Sequence, residues 1–155
     1  MLEWSTNQTE HPVVIRVPSK LVISTGVIDN TDYSILNKFK VEEKGEKVAI
    51  IGLGSFFKLG KELKDRLNNE LSINATLINP KYITGVDKEL LKSLASDHDM
   101  VITLEEGELD GGFGEKISRF YGLSNMKVLN LGAEKEFADR VSIDELYTRY
   151  NLKID

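Results

Sequence analysis

The order of apolar and polar positions divides the chain into a short leading part and a longer, regular one. Leu2 to Thr9 reads as a short helix, His11-Pro12 breaks it, and Val13-Val14-Ile15-Arg16-Val17 reads as a buried-type strand that Pro18 ends. Residues 21–44 are mixed and turn-rich (Ser24-Thr25-Gly26, Asp29-Asn30-Thr31-Asp32), which suits a linker, and Phe39 and Val41 alternate with lysines as on an edge strand. From Lys47 the pattern becomes regular. Val48-Ala49-Ile50-Ile51-Gly52-Leu53 is a continuous apolar run of the kind found in parallel strands covered on both faces. A helix follows from about Phe56 to Leu71, with Leu63, Leu67 and Leu71 on one face and Ser55 placed as its N-cap. Ala75 to Asn79 is the next strand. Asp87 opens a helix that turns Leu90, Leu91 and Leu94 inward, and Met100 to Leu104 is the strand after it. A helix from Gly114 to Tyr121, carrying Ile117 and Phe120, precedes the strand Lys127 to Leu131. Ser142-Ile143-Asp144-Glu145 is a capping-box pattern that opens a terminal helix through Leu146 and Tyr150.

Strands alternating with helices predict an α/β fold in three layers, α/β/α, around a five-stranded, mostly parallel sheet with right-handed crossovers. Four strands, near 48–53, 75–79, 100–104 and 127–131, are expected to be parallel. The edge strand near 38–43 is expected to run antiparallel, because Glu42 to Glu46 is too short for the crossover that a parallel connection needs.

Composition narrows the function classes. With 155 residues, 41% of them hydrophobic, the chain can bury a core without staples. Twenty Lys and Arg against 25 Asp and Glu give a net charge of -5, which argues against a protein that tracks nucleic-acid phosphates. The absence of cysteine excludes disulfides, thiolate nucleophiles and cysteine-ligated metal sites. No apolar run approaches the roughly 20 residues needed to span a bilayer, and the N-terminus has neither a basic nor a hydrophobic leader region, so a cytoplasmic location is expected.

Candidate chemistry is sparse. Gly52-Leu53-Gly54 stands where a dinucleotide fingerprint would, but the third glycine is replaced by Phe57, so the turn reads as a tight strand-to-helix connection. The segment Glu105-Glu106-Gly107-Glu108-Leu109-Asp110-Gly111-Gly112-Phe113-Gly114 lies at the carboxyl end of a strand, where α/β proteins place ligands. Its carboxylates would repel a phosphate, and adjacent Glu105 and Glu106 point to opposite faces of a strand, so the favoured reading is a sharp turn whose acids cap the helix or meet a partner. His98, between Asp97 and Asp99, reads as a surface or loop residue, and His11 as a turn residue. Two histidines with no clustered carboxylates at ligand spacing make a zinc site unexpected. Arg16, a cation inside an apolar strand, is either half of a core ion pair or an anion-binding residue at the mouth of a site.

Three stretches, HPVVIRVP (11–18), GEKVAIIGLGS (45–55) and DHDMVITLEEGELDGGFG (97–114), resemble in order and separation the C-terminal part of the 1-deoxy-D-xylulose-5-phosphate synthase family. These are thiamine diphosphate enzymes of the transketolase superfamily, and the resemblance covers nearly the whole chain. Beta subunits of 2-oxoacid dehydrogenases carry similar EEG…GGFG segments, and Arg16 separates the two, since it resembles the residue that grips the substrate phosphate in the synthases. The resemblance implies a terminal helix and strand of a pyrimidine-binding domain at 1–20, a linker at 21–39 and a transketolase-like C-terminal domain at 40–155. It also implies a fragment: the GDG-type magnesium-diphosphate motif is absent, so no catalytic, cofactor-binding or metal-binding residue is expected here. Thiamine diphosphate and magnesium would belong to the full-length enzyme of isoprenoid precursor synthesis. Where the family often has a second arginine this chain has Ser19, followed by Lys20.

On this resemblance the substrate-binding candidate is Arg16, and the interface candidates are Glu105, Glu106, Gly111, Gly112 and Phe113. The expected partners are the remaining synthase domains or a separate cofactor-binding chain, in a homodimer, with no nucleic acid and no membrane. An interaction subunit of a split transketolase or dehydrogenase-type complex, with Met1 a natural start, is the alternative. A stand-alone ligand-binding module is disfavoured by the failed dinucleotide fingerprint.

Overall fold

The computed structural model describes residues 1–17 and 30–154, which fall into two compact units, 1–36 and 37–155. In the first, helix α1 spans Leu2–Asn7. It ends where the Gln8 side chain folds over the following turn: its carbonyl accepts from the Glu10 and His11 amides, and its amide donates to the His11 carbonyl. Trp4 and Tyr33 bring their rings to 6.5 Å. The strand expected at Val13–Val17 is not formed, and Val14 and Val17 are exposed. A strand needs a neighbour for its backbone groups, and among the described residues none pairs with this segment. Pro18, Ser19, Lys20 and most of the expected linker lie outside the described residues.

The second unit is a five-stranded sheet in the order β1-β3-β2-β4-β5. The strands are β1 (Lys40–Glu43), β2 (Lys47–Gly52), β3 (Thr76–Asn79), β4 (His98–Glu108) and β5 (Lys127–Ala133). The helices are α2 (Phe57–Leu71), α3 (Lys88–Leu94), α4 (Phe113–Tyr121) and α5 (Ile143–Arg149). β1 is antiparallel to β3, and the other pairings are parallel. The antiparallel edge strand is thus present as expected. Rather than forming a hairpin with β2, β1 passes beyond it and pairs with β3, with Lys40 opposite Asn79.

Two apolar layers flank the sheet. On one face Ile50, Leu77, Ile102 and Leu104 pack under α2 and α5, with Phe56 and Tyr147 in an edge-to-face contact at 5.4 Å. On the other, Ala49, Ile51, Ile78 and Val101 pack under α3 and α4 through Leu91, Leu94, Phe113 and Ile117. Leu63 and Leu67 lean on the first layer, but Leu71, the third leucine of that stripe, is exposed at the last turn. Ser55 does not cap α2. It sits in a 3-10 turn, Gly54–Phe56, that leads into the helix. Asp87 and Ser142 are caps as expected: Asp87 accepts from the Leu90 amide and Ser142 from the Glu145 amide.

The buried Tyr121 hydroxyl donates to the Leu91 carbonyl at 2.6 Å, tying α4 to α3. Burial pushes its pKa up to about 12 from 10.0. The neutral phenol therefore contributes stability that is complete below pH 10 and is lost as pH rises through about 12. Alkaline unfolding should steepen across that window, and Tyr121→Phe should flatten the slope while costing about 1 kcal/mol at pH 7. Equilibrium denaturation at a series of pH values checks both effects.

Candidate functional site: the carboxyl edge of the sheet

β2 and β4 lie side by side at the centre of the sheet, and the chain leaves their carboxyl ends towards opposite faces, β2 into α2 and β4 into α4. This is the switch point at which α/β sheets open a ligand crevice. Gly52, Gly54, Ser55, Glu105 and Glu106 all lie there.

The turn after β2 is shaped by two glycines with different tasks. Gly54 has φ +60 and open space around it, so it supplies a left-handed conformation. A Cβ at Gly52 would lie 2.7 Å from the Phe57 Cα. The close approach of helix to strand is therefore made with the glycine on the strand side, and Phe57 on the helix does not prevent it.

After β4 the acidic loop closes on itself. Between the pairs Leu104–Leu131 and Glu108–Ala133, three residues of β4 stand against one of β5, an irregularity that holds Glu105 at its start. Glu105 is only 2% exposed. Its two carboxylate oxygens accept from the amides of Phe113 (2.8 Å) and Gly114 (2.7 Å), the first residues of α4. The Gly112 amide donates to the Leu109 carbonyl and the Gly111 amide to the Glu115 carboxylate. Four consecutive amides, 111 to 114, are thus all satisfied from within, and the helix start that could cradle an anion is filled by the chain's own carboxylate.

Glu106 points the other way, to solvent, and accepts from the Ser55 hydroxyl at 3.2 Å, bridging the turn after β2 and the carboxyl end of β4. Tyr147 sits within its field, and burial, with the Glu106 and Asp144 charges, raises the Tyr147 pKa. Beside this bridge an open cleft of about 310 Å³ runs between α2 and the C-terminal segment, walled by Phe56, Leu59, Tyr147 and Leu152 and edged by Lys58 and Lys153.

The two acids of the loop therefore do not converge on one reacting atom. Of the interface candidates, Glu105 and Phe113 are buried inside the domain and offer no surface to a partner. Glu106 and Gly111 are exposed, and Gly112 is half-buried. Arg16, in the first unit, is exposed on a segment without regular structure and not in a core.

His98 is a correction to the sequence reading. It is the first residue of β4 and is buried at the opposite, amino edge of the sheet. Its Nδ1 lies 2.7 Å from Asp97 and 3.2 Å from the Leu94 carbonyl; its Nε2 lies 2.7 Å from the Thr76 hydroxyl, which accepts from the Gly45 amide. The ring locks the starts of β2, β3 and β4 together. Two further polar clusters were not legible in advance. Thr103 donates to Asn130, whose amide donates to Ser118, joining β4, β5 and α4. Glu43 receives Lys61 and the nearly buried Lys64, which hold its carboxyl below the usual range and fasten α2 to β1. An asparagine inside the otherwise apolar run of β5 was the one sequence signal for the first of them.

The fold is a layered α/β domain with one antiparallel edge strand, its switch-point loops closed by internal hydrogen bonds. Residues 37–155 match the family described as "Transketolase, C-terminal domain", and the chain belongs to that family. It is 32% identical to the 1-deoxy-D-xylulose-5-phosphate synthase of Clostridium tetani over 98% of this chain and 24% of that one. It is 29% identical to that of Pseudoalteromonas translucida over 94% of this chain and 23% of that one. The chain thus spans about a quarter of the length of these relatives. Among solved structures it is similar to a split-gene transketolase described as an inactive beta4 tetramer, with a TM-score of 0.66 and 25% identity over 75% of this chain and 37% of that one.

A diphosphate group does not fit at the start of α4. The helix start nearest the switch point is occupied by Glu105, and the same segment carries three exposed acids, Glu106, Glu108 and Asp110. Among the described residues no group of three or more His, Cys, Asp or Glu side chains could hold a metal ion, and no helix is long and apolar enough to cross a membrane.

Proposed function

We propose that this chain supplies the C-terminal section of a thiamine diphosphate-dependent synthase that joins pyruvate, with loss of carbon dioxide, to glyceraldehyde 3-phosphate. The observation that carries this reading is the extent of the likeness: it runs over 98% of the chain and so includes the residues ahead of the family domain, where Arg16 lies. On this reading thiamine diphosphate and magnesium are held by the remaining domains or by a separate chain. This chain contributes architecture, subunit contacts through exposed carboxyl-edge residues such as Glu106 and Gly111, and one substrate contact, the Arg16 guanidinium on the acceptor's phosphate.

The similarity to a split-gene transketolase chain favours a second reading, an interaction subunit of a split transketolase or dehydrogenase-type complex. Both readings are tested by combining the full chain with a chain that carries the cofactor-binding and pyrimidine-binding sections of a synthase. Activity with pyruvate and glyceraldehyde 3-phosphate in the mixture, and in neither chain alone, supports the synthase. Arg16→Ala should then raise the KM for the phosphorylated acceptor about ten- to a hundredfold and leave that for pyruvate unchanged, the loss of one charge-assisted contact to phosphate. Equal losses for both substrates, together with a lower melting temperature, would retire the phosphate role. Turnover of unphosphorylated acceptors at the same rate would favour the second reading.

A further inference from the structure

We propose that the free edge of β5 is a self-association surface, where two copies of this chain pair their β5 strands antiparallel about a two-fold axis at Asn130. Among the described residues β5 is the outermost strand, paired only with β4. It is seven residues long, about 23 Å at the usual rise. Edges of that length are normally shortened, bulged away or guarded by charge, because their unpaired amides and carbonyls invite another strand. Here the only ionisable side chain within the strand is Lys127, at its start.

Exposed apolar side chains lie in the same strand and on either side of it in sequence. Leu129, in mid-strand, is 41% exposed, while Leu123 before the strand and Phe137 after it are 107% and 102% exposed. Phe137 is not on a loose loop. The neighbouring Glu136 carboxylate accepts from Arg149 at 2.6 Å and from the Tyr150 hydroxyl, both at the end of α5, so the backbone that presents the ring is fastened. A fully exposed aromatic on a fastened backbone is the kind of anchor that carries binding energy at interfaces.

The register follows from symmetry. Side chains directly opposite one another in an antiparallel pair share a face, and a two-fold axis perpendicular to the sheet keeps like faces together, so paired positions must have the same parity. An axis at Asn130, the middle residue of β5, meets this condition and sets Leu129 opposite the partner's Leu131. It sets Lys127 opposite the partner's Ala133 and next to the partner's Glu134, which offsets the one guarding charge. Leu123 lies seven positions before Asn130 and Phe137 seven after, so the same axis brings the Leu123 end of each copy beside the Phe137 end of the other. The surface is complementary to itself in charge and in apolar ends, as an isologous contact requires. That complementarity favours a second copy over a different chain as the occupant. The inference needs neither cofactor nor substrate and stands apart from the synthase reading.

Sedimentation velocity on the full chain over a range of concentrations should show a reversible dimer. Phe137→Asp and Leu129→Lys alter exposed side chains, so circular dichroism and melting temperature should not change, while each weakens the dimer by about tenfold or more. Because the natural chain has no cysteine, mixing the Lys127→Cys and Ala133→Cys variants under mild oxidation should give a mixed disulfide dimer in preference to either symmetric one. A wild-type chain that stays monomeric throughout overturns the proposal. So does a dimer that survives both surface substitutions, one that forms no preferential mixed disulfide, or association seen only with a different chain.

Discussion

Replacing Glu105 by alanine should lower the stability of the 37–155 unit by about 3 kcal/mol, read by urea denaturation at neutral pH. The carboxylate is 2% exposed and accepts two amide hydrogen bonds at the start of α4. Removing it strands both donors in a place that water reaches poorly and empties the space the side chain filled. Glu105→Gln should cost less, about 1–2 kcal/mol, since its amide oxygen can still accept one bond while its NH2 opposes the other donor. A small carboxylate such as formate should restore part of the alanine variant's stability, and chloride at equal ionic strength should not. If Glu105→Ala melts like the natural protein, the account of a self-filled helix start is wrong.

The same residue shows what could be read in advance and what could not. Apolar runs such as Val48 to Leu53 and Val101 to Leu104, separated by helix-period stretches, carry the layer order in their own spacing, because a strand covered on both faces must be apolar throughout. The opposite orientations of Glu105 and Glu106 follow from the two-residue period of a strand, and they hold even at an irregular point of β4. What spacing cannot carry is partnership across the sheet. β1 chose β3 over β2, and that choice rests on contacts such as Asp87, which accepts from the Phe39 amide 48 positions away while also capping α3. His98 shows the same limit: two flanking aspartates suggested water, but Thr76, 22 positions earlier, supplies a buried partner. Val13–Val17 fails for the converse reason. A strand-like sequence forms a strand only when a neighbour is there to pair with it, and among the described residues none pairs with this segment.

Gly111 and Gly112 are adjacent and should respond to substitution for different reasons. Gly111 has φ +74 and open space where a methyl would stand, so Gly111→Ala should cost about 1–2 kcal/mol of backbone strain, and Gly111→Asn, which tolerates that conformation better, clearly less. Gly112 has φ -70, which any residue adopts. Its constraint is space: a Cβ there would lie 2.4 Å from the Glu108 carbonyl oxygen and 2.8 Å from both Glu105 carboxylate oxygens. Gly112→Ala should therefore cost about 3 kcal/mol, and Gly112→Asn should be no better tolerated. Coupling distinguishes this from a generic loop effect. In the double variant Glu105→Ala, Gly112→Ala the new methyl no longer meets the carboxylate, so the combined loss should fall short of the sum of the single losses by about 1 kcal/mol, the contact with the Glu108 carbonyl remaining. Strict additivity in that cycle would mean that Gly112 does not owe its place to the buried carboxylate.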